Sequence, residues 1–172
     1  MYYKTPYSYY KLKFDYRFVG DQTPGGENWN IRNSGVMFHS QHPETLLIDQ
    51  SFPVSIETQF LGGLNDGSRP TGNLCTPGTD VDMNSVKVKG HCTRSKSDTF
   101  NNDDWVEAEI IVYSDSIAHQ IINRKTVLTN TEMRPRETLI ISIDDHLDYK
   151  TFLDGKRGML TVEYVSQGVF PR

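Results

Sequence analysis

Apolar and polar residues alternate along several short segments of this chain. In residues 10–19, Leu, Phe and Tyr alternate with Lys, Asp and Arg, and residues 105–113 repeat the pattern with Val, Ala and Ile against Glu. Because successive side chains of a β-strand point to opposite faces, this alternation predicts antiparallel strands with one buried and one polar face. Weaker forms of the pattern predict further strands at residues 35–40, 54–61, 117–122, 126–128, 139–143 and 160–165.

The segments between these strands are rich in turn-forming residues, and no window carries a 3.6-residue apolar period over three turns. Residues 62–104, with many Gly and Pro, are predicted to be mostly irregular apart from a small hairpin around residues 86–88. Many short strands joined by Gly, Pro and Asn turns predict an all-β sandwich or barrel. A length of 172 residues favours a single domain.

The charge pattern narrows the choice of partners. The formal net charge is -4 at pH 7 and no run is rich in Lys or Arg, which argues against a nucleic acid or an anionic membrane surface. No apolar run approaches the ~20 residues that span a bilayer. Residues 1–10 lack the basic and apolar regions of a signal peptide, which leaves a cytoplasmic protein or one whose leader lies outside this sequence.

A carboxylate and an amide stand side by side on one predicted strand face. Glu57 and Gln59 alternate with Ile56 and Phe60. Such a pair belongs either to a cleft, where the carboxylate acts as a base or metal ligand and the amide binds sugar hydroxyls, or to an ordinary solvated face, which the pattern alone favours. His119, in an isoleucine-rich strand, is either a packed histidine or a ligand or proton carrier that faces the same cleft.

Other residues add weaker chemical signals. His39 follows one strand, and Glu163 lies on the polar face of the last strand, where it would form a carboxylate pair with Glu57 of the kind used in glycoside cleavage. Trp105 and Tyr113 either stack on a sugar ring or pack internally. No paired ligand spacing such as His-x-x-x-His is present, so the residues alone do not indicate a metal site.

The two cysteines, Cys75 and Cys92, lie in loop-like sequence. The residues leave two states open. One is a disulfide, which contributes on the order of 3 kcal/mol in the chain-entropy model. The other is two free thiols in a reducing compartment.

A series of motifs runs along nearly the whole chain. They are NSGVMFHSQ (33–41), DQSFPVSIETQFLGG (49–63), TGNLCTPGT (71–79), HCT (91–93), WV (105–106) and AHQIIN (118–123). In this order they resemble the signature of the 3-keto-disaccharide hydrolase family. Each motif is loose, and the specificity comes from the ordered series.

The resemblance implies a concanavalin A-like jelly-roll sandwich of two antiparallel sheets. It also implies an enzyme that cleaves glycosides already oxidised at carbon 3 of the sugar. The ketone acidifies the proton on carbon 2, a base removes it, and the enolate expels the group on carbon 1. Water then adds to the double bond, which completes a net hydrolysis. This chemistry needs a general base and a stabiliser of the enolate oxygen, either a divalent metal ion or hydrogen-bond donors.

The resemblance assigns the catalytic roles to Glu57 and His119, as metal ligands or as base and electrostatic partner. The residues expected to bind the carbohydrate substrate are Asn33, His39, Gln59, Trp105, Asn123 and Glu163. The loop cysteines and the family's usual habitat favour a periplasmic or secreted protein, with Cys75 and Cys92 as its candidate disulfide.

The chain also departs from the family pattern. Its hairpin turns on Asn123-Arg124 in place of the usual Asn-Gly, and arginine resists the positive φ that glycine accepts there. Glu163 replaces a usual glutamine, and terminal strands of the family are missing, so the domain over residues 1–172 is expected to be incomplete at both ends. Two alternatives to the enzyme stay open: a non-catalytic carbohydrate-binding module that stacks sugars on Trp105 and Tyr113, and a structural domain without a cleft.

Overall fold

The alternating segments form two antiparallel sheets. The structure, a computed structural model, describes residues 6–22 and 24–135, so the strands predicted at residues 139–143 and 160–165, and Glu163 with them, lie outside the described residues. Within the described residues, the first sheet has six strands, in the spatial order β1 (Tyr9–Tyr16), β8 (Val106–Tyr113), β9 (Ile117–Ile122), β10 (Lys125–Pro135), β5 (Thr79–Met83) and β6 (Val86–Lys87). The second sheet has four strands in this part of the chain, in the order β2 (Asn33–Phe38), β3 (Ile56–Leu61), β4 (Asn73–Cys75) and β7 (Cys92–Thr93). Two short 3-10 helices, Asn28–Asn30 and Pro43–Thr45, lie in the loops that flank β2.

The two sheets pack face to face around one aromatic and aliphatic core. Phe60 of β3 meets two aromatic residues of β1, with ring centroids 5.6 Å from Phe14 and 4.6 Å from Tyr16. The Tyr16 hydroxyl also forms a buried hydrogen bond of 2.6 Å with Thr71 Oγ1, which satisfies both polar groups. Both sheets contribute to the buried cluster, which includes Phe14, Tyr16, Phe38, Ile56, Phe60, Leu74, Val81, Val106, Ala108, Ile110, Val112, Ala118 and Ile122. The architecture is therefore a two-sheet β-sandwich, in agreement with the predicted fold class and with a jelly roll.

The core fixes which side chains point outward. In β3, Ile56, Thr58 and Phe60 are buried, so Glu57 and Gln59 lie on the outer face of the four-stranded sheet. In β9 the buried residues are Ala118, Gln120 and Ile122. By the same alternation, His119 lies on the outer face of the six-stranded sheet. These two outer faces point away from each other.

Three strands occur where the sequence predicts irregular structure. β4, β5 and β7 all lie within residues 62–104, and β4 and β7 have only three and two residues. Such short strands carry too little alternation to be recognised, and they exist because each pairs with a neighbour that is distant in sequence. The predicted hairpin around residues 86–88 is present as β5–β6.

The β9–β10 turn adopts the conformation that its sequence was expected to resist. Asn123 and Arg124 both have positive φ, of 45° and 65°, as a two-residue hairpin turn requires. The side-chain oxygen Oδ1 of Asn123 accepts a hydrogen bond of 3.0 Å from the Glu107 backbone N–H. The Arg124 guanidinium lies 3.5 Å from the Glu107 carboxylate. The turn therefore forms with arginine in the position that glycine usually occupies.

Among the described residues, none of the helices has the length and apolar character needed to cross a membrane.

Candidate active site

The outer face of the four-stranded sheet gathers polar side chains from three neighbouring strands. Strand register places Met37 and Cys75 on either side of Glu57, and Gly35 and Asn73 on either side of Gln59. Because paired residues project from the same face of a sheet, all six share one surface. We call this surface the Glu57 face, defined by Gly35, Met37, Glu57, Gln59, Asn73 and Cys75.

The Glu57 carboxyl is half-buried although it lies on an outer face. It extends across Gly35, where a Cβ atom would approach to 2.8 Å from the Glu57 Cγ. Burial raises the pKa of Glu57 from its ordinary value of 4.5 to about 7. Within residues 6–22 and 24–135, no hydrogen-bond or ion-pair partner meets this carboxyl group. An uncompensated carboxyl that titrates near neutral pH is unusual on a structural surface and typical of a general base.

Gln59 and Asn73 form a hydrogen-bonded pair beside Glu57. Asn73 Nδ2 donates to Gln59 Oε1 over 3.2 Å and to the Pro70 carbonyl over 2.9 Å. Asn73 Oδ1 accepts a 3.0 Å hydrogen bond from the Ser95 backbone N–H. Asn73 is only 4% exposed, so it is an internal support, whereas Gln59 is partly open to solvent.

An open cleft of about 310 Å³ adjoins this pair. Its lining consists of Gln59, Leu61, Ser68, Arg69, Pro70, Asn73, Cys92, Thr93 and Arg94. The Arg69 guanidinium is used structurally, since it donates to the backbone carbonyls of Gly62 and Ile31. Burial is the main cause that lowers the pKa of Arg69. Arg94 is exposed at the rim and donates to the Ser68 carbonyl over 2.5 Å.

A disulfide closes one side of the Glu57 face. Cys75 of β4 and Cys92 of β7 are register partners, with their Cα atoms 4.1 Å apart, and the structure joins their sulfur atoms. The Thr76 N–H donates to the His91 carbonyl over 2.9 Å, so the pairing extends just past the strand. The bond holds β7, and with it Thr93 and Arg94, at the edge of the cleft.

His119 does not belong to this site. Its Nδ1 lies 2.9 Å from Thr129 Oγ1, and its ring packs edge-on against Tyr113 at 6.1 Å, both on the outer face of the six-stranded sheet. Burial lowers the pKa of His119, which favours a neutral imidazole. The expectation that Glu57 and His119 share one cleft, or one metal ion, is wrong, because the two side chains project from opposite outer faces of the sandwich. The strand that carries His119 was predicted, but sequence periodicity does not show which sheet a strand joins.

Of the predicted binding residues that lie within the described part of the chain, Gln59 and Asn33 are on the same surface as Glu57. Asn33 pairs in register with Leu61 at the end of the Glu57 face, and its Nδ2 donates to the Trp29 carbonyl over 2.9 Å. His39 lies beyond β2, where its ring Nε2 is 2.9 Å from the Ser114 carbonyl of the β8–β9 turn. It therefore links the two sheets at their edge and does not face the cleft.

Trp105 and Asn123 lie with the other sheet. Asn123 is in the β9–β10 turn, and Trp105 is exposed just before β8, with the Arg17 guanidinium 4.8 Å from its ring centroid. Trp105 and Tyr113 stand at opposite ends of an eight-residue strand, roughly 25 Å apart at the usual rise per residue. The two aromatic rings therefore do not form a single platform for one sugar ring.

The donor set around Glu57 does not match a metal site. In the part of the chain that the structure describes, no three His, Cys, Asp or Glu side chains lie together in an arrangement that could hold a metal ion. The residues near Glu57 are amides, a methionine and a disulfide, and divalent cations such as Mg²⁺ and Zn²⁺ prefer other ligands.

Sequence reasoning missed Asn73, Gly35 and Arg94 as parts of the site. Asn73 and Gly35 lie inside the motifs TGNLCTPGT and NSGVMFHSQ, and that position is the one signal that could have identified them. Their roles depend on strand register, which places residues from distant parts of the chain beside each other.

The family model described as 3-keto-alpha-glucoside-1,2-lyase-like domain matches residues 1–156 of the chain. Neither the curated proteins nor the solved structures provide a match.

Proposed function

The chain belongs to the 3-keto-alpha-glucoside-1,2-lyase-like family, and from this premise we propose that it cleaves glycosides oxidised at carbon 3, with Glu57 as the general base. The observation that carries the proposal is the half-buried Glu57 carboxyl, which has no polar partner among the described residues and shares a strand face with Gln59, a residue that lines an open cleft. The family name points to carbohydrate chemistry of the lyase type, and the site supplies a group that can start it.

The proposed reaction begins with removal of the proton on carbon 2. The Glu57 carboxylate takes this proton, and the electrons of the C–H bond form a carbon–carbon double bond while the ketone becomes an enolate. The enolate then restores the ketone, forms a double bond between carbons 1 and 2, and releases the group on carbon 1. Addition of water to that double bond converts the elimination into a net hydrolysis.

The environment of Glu57 suits this role. A base is most effective when its pKa lies near the working pH, and burial raises the pKa of Glu57 to about 7. Part of the population is then ionised at neutral pH, and each ionised carboxylate is a stronger base than an ordinary surface glutamate. The adjoining cleft of about 310 Å³ is at the lower end of the usual size range for small-molecule sites.

Stabilisation of the enolate is the second requirement. Hydrogen-bond donors on the Glu57 face are the first choice, because the described residues offer no metal-ligand cluster. A divalent metal ion is the second choice. Assays with EDTA and then with added Mg²⁺, Mn²⁺ or Zn²⁺ distinguish the two. If hydrogen-bond donors alone stabilise the enolate, EDTA should leave the activity intact; if a metal ion does, EDTA should abolish the activity and added metal should restore it.

We also propose that the protein works in the periplasm or outside the cell. The support is the Cys75–Cys92 disulfide, because disulfides persist in oxidising compartments and are rare in the cytosol. Fractionation of the producing cells tests this, and recovery of the protein in the cytosol with two free thiols would contradict it.

The experiment that tests the reaction compares the protein with two matched variants on a 3-keto-disaccharide. Glu57→Gln removes the base and keeps the size of the side chain. Glu109→Gln makes the same change on the other outer face, where Glu109 pairs with Lys11 over 2.9 Å. The ultraviolet absorbance of the conjugated ketone reports the rate of its formation. We expect this rate to fall by about 10²-fold or more in Glu57→Gln and to be retained in Glu109→Gln. Equal rates in all three proteins would remove Glu57 from the mechanism.

A further inference from the structure

We propose that Gln59 is a catalytic residue whose Nε2 amide donates a hydrogen bond to the enolate oxygen at carbon 3. This inference rests on the proposed function and goes beyond it, because it assigns the group that stabilises the negative charge. Three features of Gln59 support it: the orientation of its amide, its surroundings and its position relative to Glu57.

The orientation of the amide is set by the backbone through Asn73. The Ser95 N–H can only donate, so it fixes Oδ1 of Asn73 on its side, at 3.0 Å. The Pro70 carbonyl can only accept, so it fixes Nδ2 on the other side, at 2.9 Å. Nδ2 of Asn73 must then donate to an oxygen of Gln59, and it meets Oε1 at 3.2 Å. The Gln59 oxygen is therefore turned toward Asn73, and its NH₂ group is turned away from it.

The NH₂ group of Gln59 is left available to a ligand. No other group in residues 6–22 and 24–135 bonds to Nε2, while Gln59 itself lines the cleft. Asn73 is 4% exposed and tied to two backbone groups, so the amide is held before a substrate arrives. Donors that are fixed in advance stabilise developing charge most strongly, because they need no reorganisation during the reaction.

The spacing between Glu57 and Gln59 fits the two sites of reaction on the sugar, which are the proton on carbon 2 and the oxygen on carbon 3. The residues alternate on one strand face, which puts their Cα atoms about 7 Å apart. A base that approaches carbon 2 and a donor that approaches the oxygen on carbon 3, each to about 3 Å, need a separation of similar size. Gln59 can thus reach the oxygen that becomes negative while Glu57 takes the proton.

The step balances without an added reagent. As the C–H bond at carbon 2 breaks, its proton goes to Glu57 and the ketone electrons move onto oxygen, where the Gln59 N–H donates a hydrogen bond and keeps its proton. When the bond between carbon 1 and the leaving oxygen breaks, the oxygen takes the electron pair. The proton held by Glu57 then passes to that oxygen, directly or through water, which restores the base.

The test replaces Gln59 with methionine, which has nearly the same length and no donor. We expect Gln59→Met to lower kcat by about 10²- to 10³-fold, the usual effect of losing one such donor, with KM changed less than about threefold. Gln22→Met makes the same replacement in a loop, where Gln22 donates to the Glu27 carbonyl, and should leave both constants unchanged. Thermal unfolding of each variant confirms that it folds, which we expect because Gln59 lies on an outer face.

A second variant reverses the orientation of Gln59. Asn73→Asp keeps the acceptor for the Ser95 N–H and removes the donor to both Gln59 and the Pro70 carbonyl, so the Gln59 amide should turn its NH₂ toward the new carboxylate and its oxygen away from it. We expect a loss in kcat of similar size although the substituted side chain does not touch the substrate, measured at the pH plateau of each protein.

The outcomes separate this inference from the proposed function. If the protein eliminates the leaving group and Gln59→Met raises KM with kcat unchanged, Gln59 only binds sugar and the inference is overturned, while the proposed function stands. If the unmodified protein shows no elimination, the proposed function is contradicted, and the role of Gln59 in that reaction is contradicted as well.

Discussion

At the scale of single residues, Glu57 occupies space that a neighbouring glycine leaves empty. Gly35 lies on β2, and its missing side chain provides room for the Glu57 carboxyl, which would otherwise meet a Cβ atom. The half-buried position that raises the pKa of Glu57 therefore depends on a residue with no functional group of its own.

Replacing Gly35 with alanine should displace the carboxyl toward solvent. We expect Gly35→Ala to lower the pKa of Glu57 toward its ordinary value of 4.5. The part of the pH profile in which kcat/KM rises as the base ionises should then move to lower pH. Gly90→Ala is the matched control, because a Cβ there meets only the Cys92 carbonyl at 3.4 Å. A pH profile that is the same in both variants and in the unmodified protein would show that Gly35 does not position Glu57.

The raised pKa of Glu57 also predicts how stability varies with pH. The folded state holds this proton more tightly than the unfolded chain does, so the carboxyl favours folding below pH 4.5 and loses that advantage as the pH rises to about 7. The loss in the free energy of unfolding that this one carboxyl causes amounts to about 3 kcal/mol. Urea unfolding between pH 4.5 and 7.5 should show this decline, and Glu57→Gln should remove that part of it. A pH dependence that is unaltered by Glu57→Gln would contradict the burial of this carboxyl.

Some of these residue-scale features were predictable from the sequence. Alternation in β3 correctly put Glu57 and Gln59 on one face, opposite Ile56 and Phe60. The support from Asn73 and the space above Gly35 were not predictable, because both arise from pairing between β2, β3 and β4.

At the scale of elements, the disulfide compensates for a very short strand. β7 pairs with β4 through only two register pairs, and one of them is Cys75–Cys92 itself. A two-residue strand has few interactions of its own to hold it, so the covalent bond secures the edge of the cleft that Thr93 and Arg94 line.

Removal of both cysteines should weaken the domain and loosen that edge. We expect Cys75→Ala with Cys92→Ala to lower the free energy of unfolding by about 3 kcal/mol, the chain-entropy value for a loop of this size. KM should rise, because Thr93 and Arg94 line the cleft. Urea unfolding and steady-state kinetics, with Ser114→Ala in a distant turn as the control, measure both effects. Unchanged unfolding energy would show that β7 is held without the bond.

The longer strands were predictable because each has a complete alternating pattern, as in Val106–Tyr113. The shortest strands, Asn73–Cys75 and Cys92–Thr93, were not, since they are defined by distant partners and by the disulfide. Their motifs were recognised as part of the family series without any indication that they form strands.

At the scale of the whole molecule, the sandwich separates two chemically different surfaces. The Glu57 face carries a carboxyl, two amides and the disulfide, whereas the other outer face carries ion pairs such as Lys11–Glu109 and Lys13–Glu107 together with His119. The ordered motifs predicted the family and the fold. They did not reveal that Glu57 and His119 belong to opposite surfaces, because sequence order does not determine which sheet a strand joins.

This separation predicts that His119 is not required for catalysis. His119→Ala removes a ring that contacts Tyr113 and Thr129 and that faces away from the cleft. We expect kcat to change by less than about twofold, the effect of an ordinary partly exposed substitution. Kinetics on the same 3-keto-disaccharide check this, and a loss as large as that of Glu57→Gln would mean that His119 takes part in the reaction.

If Glu57 removes the proton from carbon 2, that proton should exchange with solvent, and the exchange should depend on Glu57. The protein is incubated in D₂O with a 3-keto-glycoside, and deuterium at carbon 2 of the recovered substrate and of the hydrated product is followed by proton NMR and mass spectrometry. We predict exchange or elimination at carbon 2 with the unmodified protein and with Glu109→Gln, and a loss of about 10²-fold or more with Glu57→Gln. Cleavage that proceeds equally fast in Glu57→Gln, or products that keep the original hydrogen at carbon 2, would show that Glu57 does not remove this proton.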